Sequence, residues 1–145
     1  MTLPPLSLTG AQWDKIAAHL TASLPEEGCG LLAGRAAVEI VLPIENAEHS
    51  PVRYTMEPRA LVAALARFEA AGMDLLGVFH SHPSGPFGVS DSDMREWRYP
   101  ETALMVCVPG RAGWQGRAYF IVDGQATEIP VLVEQGARRV GGESN

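Results

Sequence analysis

The amino-acid sequence predicts an α/β (α+β) domain in which helices flank a mixed β-sheet. Two amphipathic helical patterns, one short helix start and six apolar or alternating strand patterns follow one another in the order αββαβαβββ. The length of 145 residues is typical of one domain, and a hydrophobic content of 46% is enough for a buried core. We therefore predict one domain over residues 1–135, followed by a flexible tail over 136–145 that lacks an apolar pattern.

The first half of the chain predicts two helices with a hairpin between them. The first helix starts at Thr9, which has capping-box spacing from Gln12, and it ends before Pro25. The segments GCGLLAG and AVEIVLPIEN predict a buried strand and its antiparallel partner. Pro58 at a first-turn position and Gly72 at the end bound the second helix. Four residues are predicted to form its apolar stripe: Leu61, Val62, Leu65 and Phe68.

The second half of the chain predicts four strands and one short helix. The segment DLLGVFHSH is nearly continuous in apolar residues, which indicates a strand buried on both faces. SDSDMREWR predicts the start of a short helix. TALMVCVP, GRAYFIVD and ATEIPVLVE predict three further strands, the last two joined by a turn at VDGQ.

Composition argues against several classes of partner. The net charge is -6 and no Lys/Arg-rich run occurs, so neither nucleic acid nor an anionic membrane is an expected partner. Cys29 and Cys107 are too few for a disulfide framework or a CxxC metal site, and two buried free thiols are expected. The sequence shows no signal-peptide pattern and no membrane-length apolar run, so we expect a cytoplasmic protein. No feature indicates a homo-oligomer.

Two histidines, one residue apart, end the predicted buried strand. Side chains two apart on a strand point the same way, so His80 and His82 share a face, with Cα atoms roughly 6–7 Å apart. Pro83 ends the strand, and Ser90 and Asp93 follow after a Gly/Pro-containing loop. Two neutral imidazoles, one carboxylate and an open fourth position form a typical catalytic zinc site. The same ligand set also suits Fe(II).

Structural explanations of these residues stay open at this point. The histidines fit two satisfied core residues, and Ser90 with Asp93 fits a helix N-cap with an acid at N3. That cap does not explain two imidazoles in a buried strand, where unpaired polar groups are costly. A metal-dependent hydrolase also needs a general base, and Glu26 and Glu27 at the end of the first helix are candidates. A solvated acidic pair is their alternative interpretation.

The complete pattern resembles the JAMM (MPN+) metallopeptidases. Their motif is a Glu ahead of His-x-His, then seven residues and Ser-x-x-Asp. This chain has Glu27-Gly-Cys-Gly, then His80-Ser-His82-Pro, the seven residues Pro83 to Val89, and Ser90-x-x-Asp93. The resemblance covers residues 6–134 and implies the JAMM/MPN (cytidine-deaminase-like) domain. Its Glu-x-Cys-Gly register favours Glu27 over Glu26.

The resemblance implies a role for each motif residue. His80, His82 and Asp93 would bind one Zn²⁺ per chain, with water as the fourth ligand. Glu27 would take a proton from the attacking water and pass it to the leaving amine. Ser90 would donate a hydrogen bond to the oxyanion that forms at the scissile carbonyl.

The resemblance also suggests a substrate. NAEHSPVRYTMEP and AYFIVDGQATEIPVLVEQ are similar to the small bacterial members that act on ubiquitin-like sulfur-carrier proteins. This implies cleavage after the C-terminal Gly-Gly of such a carrier, with release of cysteine. The alternatives are a general isopeptidase that removes modifiers from lysines, and a non-catalytic MPN scaffold. A scaffold is disfavoured because every motif residue is present, and a zinc deaminase because His-x-Glu and Pro-Cys-x-x-Cys are absent.

Overall fold

The computed structural model describes residues 3–134 and 138–139. The three helices within these residues are α1 (Gly10–Ser23), α2 (Pro58–Ala70) and α3 (Asp91–Glu96). The nine strands are β1 (Leu6–Leu8), β2 (Cys29–Gly34), β3 (Val38–Ile44), β4 (Asp74–Ser81), β5 (Ala103–Gly110), β6 (Gly113–Val122), β7 (Gln125–Ile129), β8 (Val131–Val133) and β9 (Arg138–Arg139). The predicted α+β class with a mixed sheet is confirmed.

One six-stranded sheet organises the molecule, in the order β3-β2-β4-β5-β6-β7. Only β4 and β5 are parallel, and the other neighbours in this sheet are antiparallel. A parallel pair requires a crossover connection, and here residues 82–102, including α3, provide it. A second, small sheet has the order β1-β8-β9, with β1 parallel to β8. Of the predicted site residues, His80 therefore lies near the end of β4, and His82, Ser90 and Asp93 lie in the crossover.

The large sheet is buried on both faces. Its first face, the α1 face, packs against α1 and the small sheet through residues that include Trp13, Ile16, Leu20, Leu32 and Phe79. Its second face, the α2 face, packs against α2 through residues that include Leu31, Ala64, Phe68, Val78 and Val106. Burial on both sides explains why the central strands read as apolar runs rather than as alternating patterns. His80 has the same parity as Val78, so the site lies on the α2 face.

The local signals for helix and turn positions are confirmed. Thr9 accepts a hydrogen bond from the Gln12 amide at 3.1 Å, and the Gln12 side chain accepts one from the Thr9 amide at 2.9 Å. Pro58 opens α2, and β2 pairs with β3 as an antiparallel hairpin. The β6–β7 turn has positive φ at Asp123 (51°) and Gly124 (75°), which is the backbone form that suits a two-residue hairpin.

Two predictions about the fold are wrong. Val62 is 68% exposed, so it does not belong to the apolar stripe of α2; Ala64 is buried there together with Phe68. Val62 follows Leu61 by one residue, about 100° around the helix, which turns it away from the sheet. ATEIPVLVE forms two strands rather than one, because Pro130 separates β7 from β8 and cannot donate to a ladder.

The sequence does not predict the small sheet as a separate unit. β1 has only three residues, too few for a periodic pattern, and it pairs with β8 in the register Leu6 with Val131. Within the predicted tail, only Arg138–Arg139 are described, as β9 paired with β8. The rest of residues 136–145 lies outside the described residues, and the boundary at residue 135 stays a prediction. No helix in 3–134 or 138–139 is long and apolar enough to cross a membrane.

Shortening a side chain should destabilise the protein on the buried face of α2 but not on its exposed face. Phe68→Ala should lower the free energy of unfolding by about 3–5 kcal/mol, because it opens a cavity between α2 and the sheet. Val62→Ala is the matched control on the same helix and should change that free energy by less than about 0.5 kcal/mol. Urea denaturation followed by circular dichroism measures both. Equal losses would contradict the packing described for α2.

Candidate active site

The pairing of β2 with β4 brings the predicted site residues to one edge of the large sheet. Cys29 lies in register with His80, and the Ser81 amide donates to the Gly28 carbonyl at 3.0 Å. The Ser81 hydroxyl in turn accepts from the Gly28 amide at 2.8 Å. The residue before Gly28 is Glu27, which is thereby placed beside the His80–His82 pair. The structure thus brings together all five predicted residues: Glu27, His80, His82, Ser90 and Asp93.

Three side chains converge closely enough to share one cation. The Nε2 atoms of His80 and His82 are 3.0 Å apart. Asp93 places Oδ1 at 3.1 Å from the Nε2 atom of His80 and Oδ2 at 3.3 Å from that of His82. Ligands about 2.0–2.2 Å from a tetrahedral zinc ion are separated by roughly 3.3 Å. Two imidazole nitrogens and one carboxylate at these separations fit Zn²⁺.

The surroundings of the two imidazoles orient them toward this point. His82 uses Nδ1 to donate to the Pro86 carbonyl at 2.8 Å, which leaves Nε2 as the ligand atom. His80 is fully buried and its ring stacks on Tyr54, with centroids 4.5 Å apart. Burial lowers the pKa of His80, although its bond to Asp93 opposes the shift. Burial also acts to lower the pKa of His82, but the bonds to Asp93 and Pro86 outweigh it and raise that pKa.

Asp93 is both a capping residue and a candidate ligand. Ser90 is the N-cap of α3, and its hydroxyl accepts from the Asp93 amide at 3.1 Å. The Asp93 carboxylate accepts from the Ser90 amide at 2.9 Å while it faces the two histidines. Burial would raise the pKa of Asp93, but the bonds from His80 and His82 outweigh it and hold the pKa well below its usual range. The capping and metal-binding interpretations are therefore compatible, and the O–H of Ser90 remains able to donate.

Glu27 lies farther from the convergence point than Asp93 does. Its side chain is buried, with a carboxylate oxygen within 4.8 Å of the ligand atoms of His80 and His82. Burial raises the pKa of Glu27 to about 7, with further contributions from Asp93 and Glu48, while His82 opposes the rise. A carboxyl group with this pKa can both accept and release a proton near neutral pH. The neighbouring Glu26 points elsewhere, toward His49 at 3.2 Å.

Asn46 supports the site although no motif of the sequence predicts this role. Its buried amide donates to the carbonyls of Glu27 and Arg53, both at 3.0 Å. Its oxygen accepts from the amides of Glu48 at 3.0 Å and Thr55 at 3.1 Å. All four hydrogen-bonding positions of the side chain are thus used: three brace the β3–α2 connection internally, and one ties it to the backbone of Glu27. An Asn after a strand is a common turn signal, so its sequence position alone does not reveal this contact.

Cys29 is close to the site but does not belong to its chemistry. Cys29 and Cys107 are buried free thiols, as predicted. Burial, with a smaller contribution from Glu27, raises the pKa of Cys29 to about 12. A thiol with this pKa stays protonated and is a poor nucleophile and a poor metal ligand.

The cleft above the site is narrow. Its lining residues are Glu27, Val52, Arg53, Tyr54, His82, Ser90, Ser92, Asp93 and Glu96, and they enclose about 20 Å³. A larger surface cavity of about 640 Å³ lies elsewhere, between the N-terminal segment and β6–β7, and no histidine or cysteine lines it. Chemistry rather than size therefore identifies the candidate active site.

The chain matches one family of known proteins over most of its length. The model of the family described as prokaryotic homologs of the JAB domain matches residues 10–122. That range contains all five residues of the site.

Three relatives show similarity over most of both chains. The probable TtuB-protein conjugate cleaving protease of Thermus thermophilus is 39% identical over 123 residues, which are 82% of this chain and 78% of the relative. The desampylase of Haloferax volcanii is 32% identical and covers 75% of this chain and 84% of its own. The CysO-cysteine peptidase of Mycobacterium bovis is 31% identical, and the match covers 84% of this chain and 87% of the relative.

Solved structures share the fold. A protein of Desulfitobacterium hafniense, solved in solution, superposes with a TM-score of 0.81 at 29% identity and covers 90% of this chain and 93% of its own. A JAB1/MPN domain protein of Archaeoglobus fulgidus superposes with a TM-score of 0.56 at 15% identity. The match covers 90% of this chain and 98% of that protein. The second likeness concerns the fold alone.

Proposed function

The chain belongs to the family of prokaryotic homologues of the JAB domain, and from this premise we propose that it is a zinc-dependent peptidase. Its substrate would be a ubiquitin-like or sulfur-carrier protein, cleaved after the C-terminal glycine. The observation that carries the proposal is the convergence of His80, His82 and Asp93 within 3.0–3.3 Å of one another, with Glu27 buried beside them.

The roles proposed for the residues follow from their positions. His80, His82 and Asp93 would hold Zn²⁺, which would polarise the scissile carbonyl and lower the pKa of water toward about 7. Glu27, whose own pKa is raised to about 7, accepts the proton of the attacking water and later delivers it to the leaving amine. Ser90 keeps its oxygen on the α3 cap and donates its O–H to the developing oxyanion.

The shape of the cleft supports a slender substrate segment. The cleft encloses only about 20 Å³, and Val52, Tyr54 and Ser90 are among the residues that line it. A Gly-Gly tail has no side chains to place in this space, whereas a bulky residue next to the scissile bond would have to displace the lining residues. A tail of two glycines would therefore need the least displacement of the lining residues.

The names of the relatives support two kinds of leaving group. One relative is named for cleaving TtuB-protein conjugates and another as a desampylase, whereas a third is named as a CysO-cysteine peptidase. The two corresponding reactions differ only in the amine that is released. It belongs to the protein that carried the modifier in one case and to free cysteine in the other. Both would use the same hydrolytic residues. A non-catalytic scaffold is disfavoured because all five motif residues occupy the site.

Each proposed zinc ligand should be required for metal binding. Purified protein should contain about one zinc per chain, and His80→Ala, His82→Ala or Asp93→Ala should abolish this, because two remaining ligands are too few. His49→Ala is the control, since His49 is exposed and pairs with Glu26 and Glu45 outside the site. Inductively coupled plasma mass spectrometry measures the metal. Full zinc in all three ligand variants would rule out the proposed site.

Glu27 should be required for turnover but not for metal binding. Glu27→Gln removes the proton acceptor without removing a proposed ligand, so kcat should fall by about 10²–10⁴-fold while zinc is retained. Glu26→Gln is the matched control one residue away and should keep nearly full activity. Steady-state kinetics with metal analysis distinguishes the two. If Glu27→Gln kept full activity while Glu26→Gln lost it, the general base would be assigned to the wrong residue.

The scissile bond should follow the terminal glycine of the carrier. Zinc-loaded enzyme is incubated with a carrier linked to cysteine and, separately, with the same carrier linked to a lysine side chain. We expect products that end in Gly-Gly in at least one incubation, and the larger kcat/KM identifies the leaving amine. A carrier whose last glycine is replaced by valine should be cleaved poorly because the cleft is narrow. Intact mass spectrometry follows the products of all three reactions: the cysteine conjugate, the lysine conjugate and the valine carrier. If the zinc-loaded enzyme cleaves neither conjugate, the non-catalytic scaffold is favoured.

A further inference from the structure

The segment between the proposed ligands crosses the face of the large sheet toward β6. Residues Pro83–Val89, here called the ligand loop, connect His82 to the Ser90 cap. His80 is in register with Val106 on β5, and Val106 is in register with Arg117 on β6. Side chains of registered partners share a face, so Arg117 is on the same face as His80. It lies two strand spacings away, roughly 10 Å.

Arg117 makes two contacts with one residue of the ligand loop. Its Nη1 donates to the Phe87 carbonyl at 2.8 Å. Its guanidinium carbon lies 4.2 Å from the centroid of the Phe87 ring, within the range of a cation–π contact. The Glu128 carboxylate on β7 lies 3.7 Å from Nε. The guanidinium is therefore held between an acid of the sheet and the aromatic ring of the loop.

The ligand loop has few other hydrogen bonds. Among the described residues, the loop makes two more: the Gly85 amide donates to the His82 carbonyl at 2.9 Å, and the Pro86 carbonyl accepts from His82 at 2.8 Å. Both are local to the loop and its first neighbour. The bond from Arg117 connects the loop to a distant part of the chain, 30 residues from Phe87. Gly85 has a φ of 77°, so the backbone of this loop is not that of a regular element.

The position held by Arg117 adjoins the contact that orients His82. Pro86 and Phe87 are consecutive, and the Pro86 carbonyl accepts the Nδ1 proton of His82. Fixing the Phe87 carbonyl limits rotation of the adjoining peptide unit, and this keeps the Pro86 carbonyl aimed at the imidazole. That hydrogen bond selects the tautomer in which Nε2 is the ligand atom, an effect that outer partners typically have on metal-binding histidines.

We infer that Arg117 is a positioning residue for the metal site, acting on His82 through Phe87 and Pro86. It touches none of the proposed ligands, and its contribution is to hold the ligand loop in the conformation that orients one of them. The inference rests on the proposed zinc site and adds a residue to it that lies outside the Glu, His-x-His and Ser-x-x-Asp motif.

Zinc affinity is the measurement that tests this role. Arg117→Ala should bind zinc about tenfold more weakly than the wild-type protein in a competition titration with a chromophoric chelator, the lower end of the 10–100-fold typical for loss of an outer partner. Arg117→Lys keeps the positive charge but loses the planar guanidinium that stacks on the Phe87 ring. Its zinc affinity should therefore lie between those of Arg117→Ala and the wild type. Arg35→Ala is the matched control, because Arg35 also pairs with a glutamate and donates to a carbonyl, that of Ala71, far from the site. It should bind zinc like the wild type.

Hydrogen exchange of the metal-free protein gives a second readout. In Arg117→Ala, the Gly85 amide, which donates to the His82 carbonyl within the loop, should exchange about tenfold faster, whereas the amides of β4 should keep wild-type rates. A folded Arg117→Ala variant with wild-type zinc affinity and wild-type loop exchange would overturn the inference. If that variant does not fold, Arg117→Lys decides: weaker zinc binding supports the inference, and unchanged binding assigns Arg117 to folding alone. A wild-type protein that binds no zinc would overturn the proposed function, and this inference with it.

Discussion

The antiparallel register between β2 and β4 is the constraint on which the site depends. The register places Cys29 opposite His80, so that Glu27, two residues earlier, lies beside the histidine pair. Gly30 helps to define it, because a Cβ atom there would lie 2.4 Å from the Phe79 ring and 2.7 Å from the Leu42 carbonyl. Since side chains alternate with a period of two, a slip of one residue would move Glu27 to the α1 face, away from the imidazoles.

The site places several polar groups where a hydrophobic core would otherwise continue. His80, His82 and Glu27 are each at most 6% exposed, and Leu31, Val78 and Val106 occupy the same face of the sheet. The burial of His82 is compensated by its bonds to Asp93 and Pro86. That of His80 is compensated in part, because its Nε2 faces Asp93 whereas its Nδ1 has no hydrogen-bond partner among the described residues. The two acids respond in opposite ways: contacts with the histidines hold the pKa of Asp93 low, whereas burial raises that of Glu27 to about 7. Under the proposed function, this difference separates a permanently ionised ligand from a proton carrier.

Two irregular segments complete the site, and a long-range side-chain hydrogen bond attaches each of them. In the β3–α2 connection, the Ser50 carbonyl also accepts from the Glu27 amide at 2.8 Å. Asn46 ties the β3–α2 connection to the Glu27 carbonyl, and Arg117 ties the ligand loop to β6. The ends of β2 and β4 supply Glu27 and the histidines, while the cap of α3 supplies Asp93. Regular elements thus set the coarse positions of the site residues, and the long-range side-chain bonds set the orientation of the loops between them. This division is common in sites that must be accurate to a fraction of an ångström.

Features that depend on neighbouring residues could be predicted from the sequence alone. The capping box of Thr9 and Gln12, Pro58 at the start of α2 and the spacing of His80, His82, Ser90 and Asp93 all act over a few residues, so the sequence pattern and the structure agree. Recognition of Glu27 needed the family resemblance, because its partners are more than 50 residues away. Three features became visible only in the folded chain: β8 leaves the large sheet to pair with β1, Val62 faces outward, and Asn46 supports Glu27. These features depend on packing and hydrogen bonds between distant segments, whose energies do not appear in any local pattern of residues.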